Sequence, residues 1–504
     1  MAKEYWIHPA IGIARLGNSN KWFLGPEIPG ETPNAGKTYK DQESPARVKK
    51  QGQRFRIYEY DTSGPVPKPV REIKKTDARI TWHVHLVNKK AALREQLPPA
   101  APRNPDLDPD SLTIDAGKVD LAGNMQKIKG TNLVGNFLDT PVQIGRIIPD
   151  QDGRLIVLAG NGHSEGSSTN SSLNFANNDG WFDDTADGII SATVQFRNWE
   201  SHKTAKNARV ICAPPDFAPA IQSPITMYDL ALQAAIELDP ALWPDEQVPV
   251  FATDVLPVLQ RLHDLCWVDE DAWKAHGPDG NDNFLQQLHL LSDNTTDPSS
   301  PAFQLRRSIF FRLRRPSACP IEERRPDDPP AGRKNIPQLP DEVTLTPHQY
   351  GIFRKWSLGE FSNGHTTSSA PSSFADLPLA AQVVALDRAS LDTATGASLA
   401  LGSESWGIMA KTKTYAGPFR VTDEIPPGSL TMGNALPWQT GFYACGAGWW
   451  PSHRPGRVLR REAGKLVSTN WVRDIDDSRD MVQNWATLGF IVPDGQEQIE
   501  TEQG

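Results

Sequence analysis

Apolar and polar residues alternate through Ile80-Thr81-Trp82-His83-Val84-His85-Leu86, the period of a half-buried strand. Residues 54–60, 154–159, 189–196 and 208–212 carry similar runs, so strands dominate the first 215 residues. Pro-rich and Ser/Asn-rich stretches at 98–109 and 160–178 read as the loops between them. Beyond residue 225 the period changes. Val255, Val258, Leu259, Leu262, Leu265 and Cys266 form an apolar stripe at helical spacing, with Pro257 acceptable in the first turn. Thr346-Pro347 opens a second helix that turns Tyr350, Phe353 and Trp356 inward, and residues 377–391 form a third, rich in Ala and Leu. Residues 319–341, dense in Pro and charge, read as a surface excursion, and the acidic end before Gly504 as a frayed tail. The predicted fold class is mainly β with inserted helices (α+β), in one integrated globular body. Its parts are a β-rich 1–225, a helix-rich 226–395 and a C-terminal 396–504 that carries the active site.

Composition narrows the class. A chain of 504 residues buries roughly three quarters of its extended surface, which is ample for a large core. A net charge of −9 argues against a general affinity for nucleic acid or anionic membranes. No apolar run approaches a membrane span, and the first residues lack the apolar stretch of a secretory signal. Cys212, Cys266, Cys319 and Cys445 are widely spaced, which suits neither a zinc site nor a disulfide framework and points to a reducing, cytoplasmic setting. Gly160-Asn161-Gly162 follows a strand, but no dinucleotide fingerprint completes it, and a P-loop is missing.

Several constellations have chemical potential. His83 and His85 share one strand face, as a metal pair would, but a hydrogen-bonded face is the simpler reading. Asp179, Asp183, Asp184 and Asp187 surround Gly180 and Gly188 without EF-hand spacing, so turn chemistry is expected. Arg306, Arg307, Arg312, Arg314 and Arg315 lie among phenylalanines and are expected to form an internal ion-pairing face. The richest stretch is 436–455, where Cys445 is followed by Trp449 and Trp450. A thiol can be joined oxidatively to an indole, and an indole oxygenated twice is an orthoquinone. The alternative is a set of ordinary buried side chains. His453, three residues past Trp450, has an imidazole suited to general-base work near neutral pH; a hydrogen-bonded loop residue is the plainer alternative.

Ordered blocks run nearly end to end: Ile7-His8-Pro9-Ala10-Ile11-Gly12-Ile13-Ala14-Arg15-Leu16-Gly17-Asn18-Ser19, Gly25-Pro26-Glu27, residues 54–60 and 80–92, Asn178-Asp179-Gly180-Trp181-Phe182-Asp183-Asp184, and Ala213-Pro214-Pro215-Asp216-Phe217-Ala218-Pro219. Pro437-Trp438-Gln439, Trp449-Trp450-Pro451 and residues 485–492 complete the series. In these blocks the chain resembles the lysine ε-oxidase and glycine oxidase family. The resemblance implies a mainly β fold and a self-derived cysteine tryptophylquinone, with Cys445 supplying the thioether, Trp449 or Trp450 the quinone, and Trp438 beside them. It implies an amine or amino-acid oxidase that yields an aldehyde or keto acid, ammonia and hydrogen peroxide, and a flavoprotein partner for maturation. Homo-oligomers are common among enzymes of this size.

The chain departs from the family pattern in three places. The family's Asp four residues before the cofactor Cys is Gly441, only Gly446 to Gly448 separate Cys445 from the paired tryptophans, and Ser452-His453 replaces the usual Ala-Gln. With Gly441 in place, the base is expected to be His453. The same departures suit the alternative, a member that has lost the quinone and uses the pocket for non-redox cyclisation, rearrangement or binding.

Overall fold

In the computed structural model the described residues are 2–93, 104–123, 130–166, 179–196, 202–280, 282–313, 316, 345–364, 373–396, 406–432, 455–476 and 478–504. One curled sheet organises the first half. Its strands run in the order Thr131–Phe137, Thr140–Pro149, Leu155–Ala159, Lys50–Asp61, Ile11–Arg15, Ala208–Ala213, Ala186–Phe196, Ala78–Asn88 and Ile114–Ala122. Neighbours on this path are antiparallel except Ile11–Arg15 and Ala208–Ala213, which pair in parallel. The sheet curls until its two end strands meet, giving a barrel-like body. A side chain at Gly135 would bring its Cβ within 2.7 Å of the Asp115 carbonyl, so glycine permits the closure.

The alternation read from the sequence is the alternation that fills the barrel. Trp82, Val84 and Leu86 point inward and are fully buried, and Trp82 and Val84 lie opposite Ala192 and Ile190 of the next strand. The Trp82 indole donates to the Gly153 carbonyl at 2.9 Å, which satisfies its one polar atom inside the core. All five strands expected from periodicity are present; those at 54–60, 80–86 and 189–196 are extended by a few residues where paired neighbours carry on the ladder.

The three expected helices are present at Leu256–Asp264, Pro347–Ser357 and Leu379–Asp392. The first is preceded by a π-helical turn, Phe251–Val255, so the stripe begins in irregular helix. The second starts with a complete capping box between Thr346 and Gln349, and Pro347 fills the first turn. The third lies against the barrel: Ser390 Oγ accepts from Ile13 N at 2.7 Å, and Asp387 binds Ala10 N at 2.6 Å and His8 Nδ1 at 2.9 Å. A second core joins the helical part to the C-terminal hairpins, with Phe217, Phe353, Trp356 and Trp471 all fully buried.

Two expectations need correction. The C-terminal end is not frayed. Residues Phe490–Asp494 and Glu497–Thr501 form a hairpin, Glu502 accepts from Tyr39 N and Lys40 N at 3.0 and 2.8 Å, and Gly504 N donates to Thr487 O at 3.0 Å. The acidic residues that suggested solvation are used as acceptors and ion pairs; Glu500 is buried against Arg473 at 2.6 Å. The arginine-rich helix, Pro301–Arg312, is internal as expected, but Arg306 is held there by carbonyls. Arg306 is fully buried and spends its guanidinium on the carbonyls of Trp356, Asp293 and Thr295, closing turns whose carbonyls lack helical partners. Arg312 does pair with Asp282, at 2.6 Å. Arg314, Arg315 and the excursion at 319–341 lie outside the described residues.

Candidate functional site

Trp438, Gly441, Cys445, Trp449, Trp450 and His453 all fall within 433–454, outside the described residues. The chain on either side is described, and both flanks are fixed to the body. Upstream, Gly428 N and Thr431 N donate to the two carboxylate oxygens of Asp187 at 3.0 and 2.7 Å, and Thr431 Oγ1 adds a bond at 2.8 Å. Downstream, Gly456 N donates to Val268 O at 2.8 Å, and Trp471 N to Gly456 O at 3.2 Å. The segment therefore leaves from the barrel and rejoins the protein at the helical core.

The barrel end that receives the upstream flank is rich in buried ionisable groups. Asp183, Asp184 and Asp187 have at most 1% of their surface exposed. Turn chemistry, expected for all four aspartates, holds for Asp179 and in part for Asp183, whose Oδ1 accepts from Thr185 N and Thr185 Oγ1 at 3.2 and 2.9 Å; Asp184 and Asp187 depart from it. Asp183 and Asp187 sit in strands, and both carboxylates bind partners far along the chain. Asp183 pairs with buried Lys90 at 2.8 Å and accepts from Asn88 Nδ2 at 2.8 Å. Asp179 does lie in a turn, where it accepts from Asn104 N at 2.5 Å.

Asp184 is the least satisfied of the set. Its Oδ2 accepts from Asn161 N at 2.5 Å, whereas its buried Oδ1 has no hydrogen-bond partner among the described residues. Burial pushes its pKa up to about 6 against the His163 backbone amide, while neighbouring Asp183 adds to the rise and Lys50 opposes it. Lys50 is buried too, and its ammonium donates to Ala159 O, Gly160 O and Asn161 Oδ1 at 2.9, 2.6 and 2.8 Å. Burial draws its pKa down to about 8, partly offset by Asp184. Asp187 is likewise lifted by burial to about 6, against the three hydrogen bonds it accepts and the nearby Arg209 guanidinium. Burial also pushes the Cys212 thiol far up, so it is an inert, protonated core residue.

These groups escaped the sequence reading for a definite reason. Lys50 opens a long strand whose other residues carry the pattern, and one Lys in a strand looks solvated. The doublet Asp183-Asp184 beside Gly180 has the composition of a turn. A signal was present in the block 178–184, where two carboxylates follow the apolar pair Trp181-Phe182 into a strand.

The remaining candidates resolve simply. His83 meets Asp120 at 2.6 Å and His85 meets Asp115 at 2.7 Å, each across to the neighbouring strand Ile114–Ala122. A shallow cleft lies near Arg15, Tyr39, Gln51 and Phe490. Its most polar wall is already engaged, since Arg15 donates to the carbonyls of Pro214 and Thr393 at 3.0 and 2.8 Å.

Comparison with known proteins places this geometry. The family domain described as L-lysine epsilon oxidase N-terminal matches residues 8–212, and the L-lysine epsilon oxidase C-terminal domain matches residues 330–463. The chain is 24% identical to the L-lysine 6-oxidase of Marinomonas mediterranea, over 87% of this chain and 70% of the relative. Two solved structures share the fold. One is the L-Lys epsilon-oxidase of Marinomonas mediterranea described as a Schiff base intermediate with L-Lys, with a TM-score of 0.73 and 21% identity over 99% of this chain and 95% of that one. The other is the L-Lys epsilon-oxidase of the same organism, with a TM-score of 0.72 and 21% identity over 99% and 94%. The C-terminal match spans the whole segment from Trp438 to His453, and the N-terminal match spans Asp184 and the barrel strand that holds Asp187. The chain belongs to the L-lysine ε-oxidase family.

Proposed function

We propose that this chain is an amine or amino-acid oxidase whose cofactor is a cysteine tryptophylquinone made from Cys445 and either Trp449 or Trp450. The observation that carries the reading is the retention of Cys445, Trp449 and Trp450 inside the matched C-terminal family domain. The matched relative is an L-lysine 6-oxidase, and the reading extends amine oxidation, not the choice of lysine, to this chain. The donor set fits the group: one thiol and two indoles within six residues, in a segment whose flanks are pinned at Thr431 and Gly456.

Once formed, a quinone supplies an electrophilic carbonyl and an electron sink. The chain's own residues supply the rest. Cys445 contributes the thioether sulfur, and Trp438 borders the cofactor. His453 takes the proton from the carbon that bears the substrate amine, because Gly441 leaves no carboxylate four residues before the cysteine. The products are an aldehyde or keto acid, ammonia and hydrogen peroxide, with oxygen as the final acceptor. Maturation calls on a flavoprotein, and the site of action is the cytoplasm. Among the described residues no helix is long and apolar enough to cross a membrane.

A second reading draws on Gly441 and the three-residue spacer: a member without quinone that performs non-redox chemistry or binding in the same pocket. Peroxide release separates the two. Protein coproduced with a flavoprotein from its own genomic neighbourhood is offered a panel of primary amines and amino acids in air. The oxidase releases stoichiometric hydrogen peroxide and ammonia with at least one of them. Protein that carries the cross-link yet releases peroxide with none contradicts the proposed activity.

A further inference from the structure

Asp187 is an unusual residue to bury at the start of a barrel strand. It is fully buried in Ala186–Phe196, opposite Val87 on one side and Ile211 on the other. A buried carboxylate is costly, and an apolar residue of similar size stabilises a core at least as well. Nothing in the sheet ladder requires it. Both of its oxygens are committed outside the sheet, to Gly428 N, Thr431 N and Thr431 Oγ1. Arg209, on the adjacent strand, is also buried; it attracts the Asp187 carboxylate and donates to Thr422 O at 2.7 Å. Two neighbouring strands thus grip residues 422–431 with one charge each. The fit is close: Gly428 has φ +81°, and a Cβ there would stand 2.9 Å from Val87 Cγ1.

We propose that Asp187 is a positioning residue for the cofactor-bearing segment: it fixes the backbone at Gly428 and Thr431, and through it the start of the chain that leads to Cys445. This rests on the oxidase reading above for what the segment carries, but the grip itself does not. Cross-linking a thiol to an indole requires the two to be held in register while the ring is oxygenated. A carboxylate that accepts three hydrogen bonds supplies a fixed origin for that register, where an apolar contact would allow sliding.

The test uses the full chain coproduced with its flavoprotein, and reads both amide hydrogen exchange and intact mass. Asp187→Asn keeps the size but turns an NH₂ group toward backbone donors. Exchange at residues 428–431 should accelerate about tenfold, the effect of one lost hydrogen bond, while strand amides at 78–88 stay protected. The fraction of protein carrying the cross-link mass should fall by about the same factor. Thr431→Val, which removes one bond and leaves the charge in place, is the milder variant and should lower the cross-linked fraction less, with the fold intact. A cross-linked fraction equal to wild type in both variants overturns the proposal, whatever exchange shows. If the wild-type chain itself forms no cross-link, the oxidase reading fails, and unchanged exchange at 428–431 in Asp187→Asn would then refute the grip separately.

Discussion

Asp184 holds one oxygen against a backbone amide, and among the described residues its other oxygen is buried without a partner. That has a measurable consequence. Burial raises its folded-state pKa from 3.8 to about 6, so in this interval the native state retains a proton that the unfolded chain has released. The stability it contributes is complete below the unfolded value and is lost as pH rises through about 6. Asp184→Asn, which stays neutral, should therefore gain on wild type between pH 4 and pH 7, by on the order of 2 kcal/mol. Thermal melts across that range check it, and a pH-independent difference would contradict it. His453→Ala should leave the cofactor spectrum in place but slow its reduction by amine by a factor of about 10²–10⁴, the usual worth of a positioned base. Reduction at the wild-type rate would make His453 an ordinary loop residue. Gly441→Asp should be neutral or harmful if the base has moved, because a new charge near the cofactor lacks a partner. A quinone that appears only in Gly441→Asp would instead favour the non-redox reading.

Whole elements were more legible than these single residues. A strand announces itself through a period of two, and the 80–86 alternation survives as the inward row Trp82, Val84, Leu86. The Thr346-Pro347 helix was readable because capping is local, written within four residues. Sequence reasoning failed where the outcome depends on partners far along the chain. The acidic C-terminus looked solvated until Glu502 met the amides of residues 39 and 40, more than four hundred residues earlier. Asp184 looked like a turn residue until Asn161 met it, and Asp183, which does bind its own turn at Thr185, also takes Lys90 and Asn88 from far along the chain. Barrel closure was also invisible in the pattern, since it hangs on a glycine. Gly135→Ala should cost roughly 1–3 kcal/mol by forcing a methyl against the Asp115 backbone, with a lower Tm as the readout. A Tm equal to wild type would show that the end strands part without penalty.

At the scale of the molecule, a barrel end and a helical core hold the two flanks of one segment, and the segment contains every residue singled out for redox chemistry. The family was legible in the sequence because its blocks recur in order from residue 7 to residue 492. The chemistry was less so, since Gly441 and the short spacer break the pattern at the cofactor itself. The central claim is that Cys445 and one of Trp449 and Trp450 become a single cross-linked quinone. Intact mass of the chain coproduced with its flavoprotein tests this most directly. The account predicts a mass above that of the sequence by two oxygen atoms less four hydrogen atoms, mapped to a peptide linking Cys445 to one of the two tryptophans. A chain at its unmodified sequence mass under those conditions would contradict it.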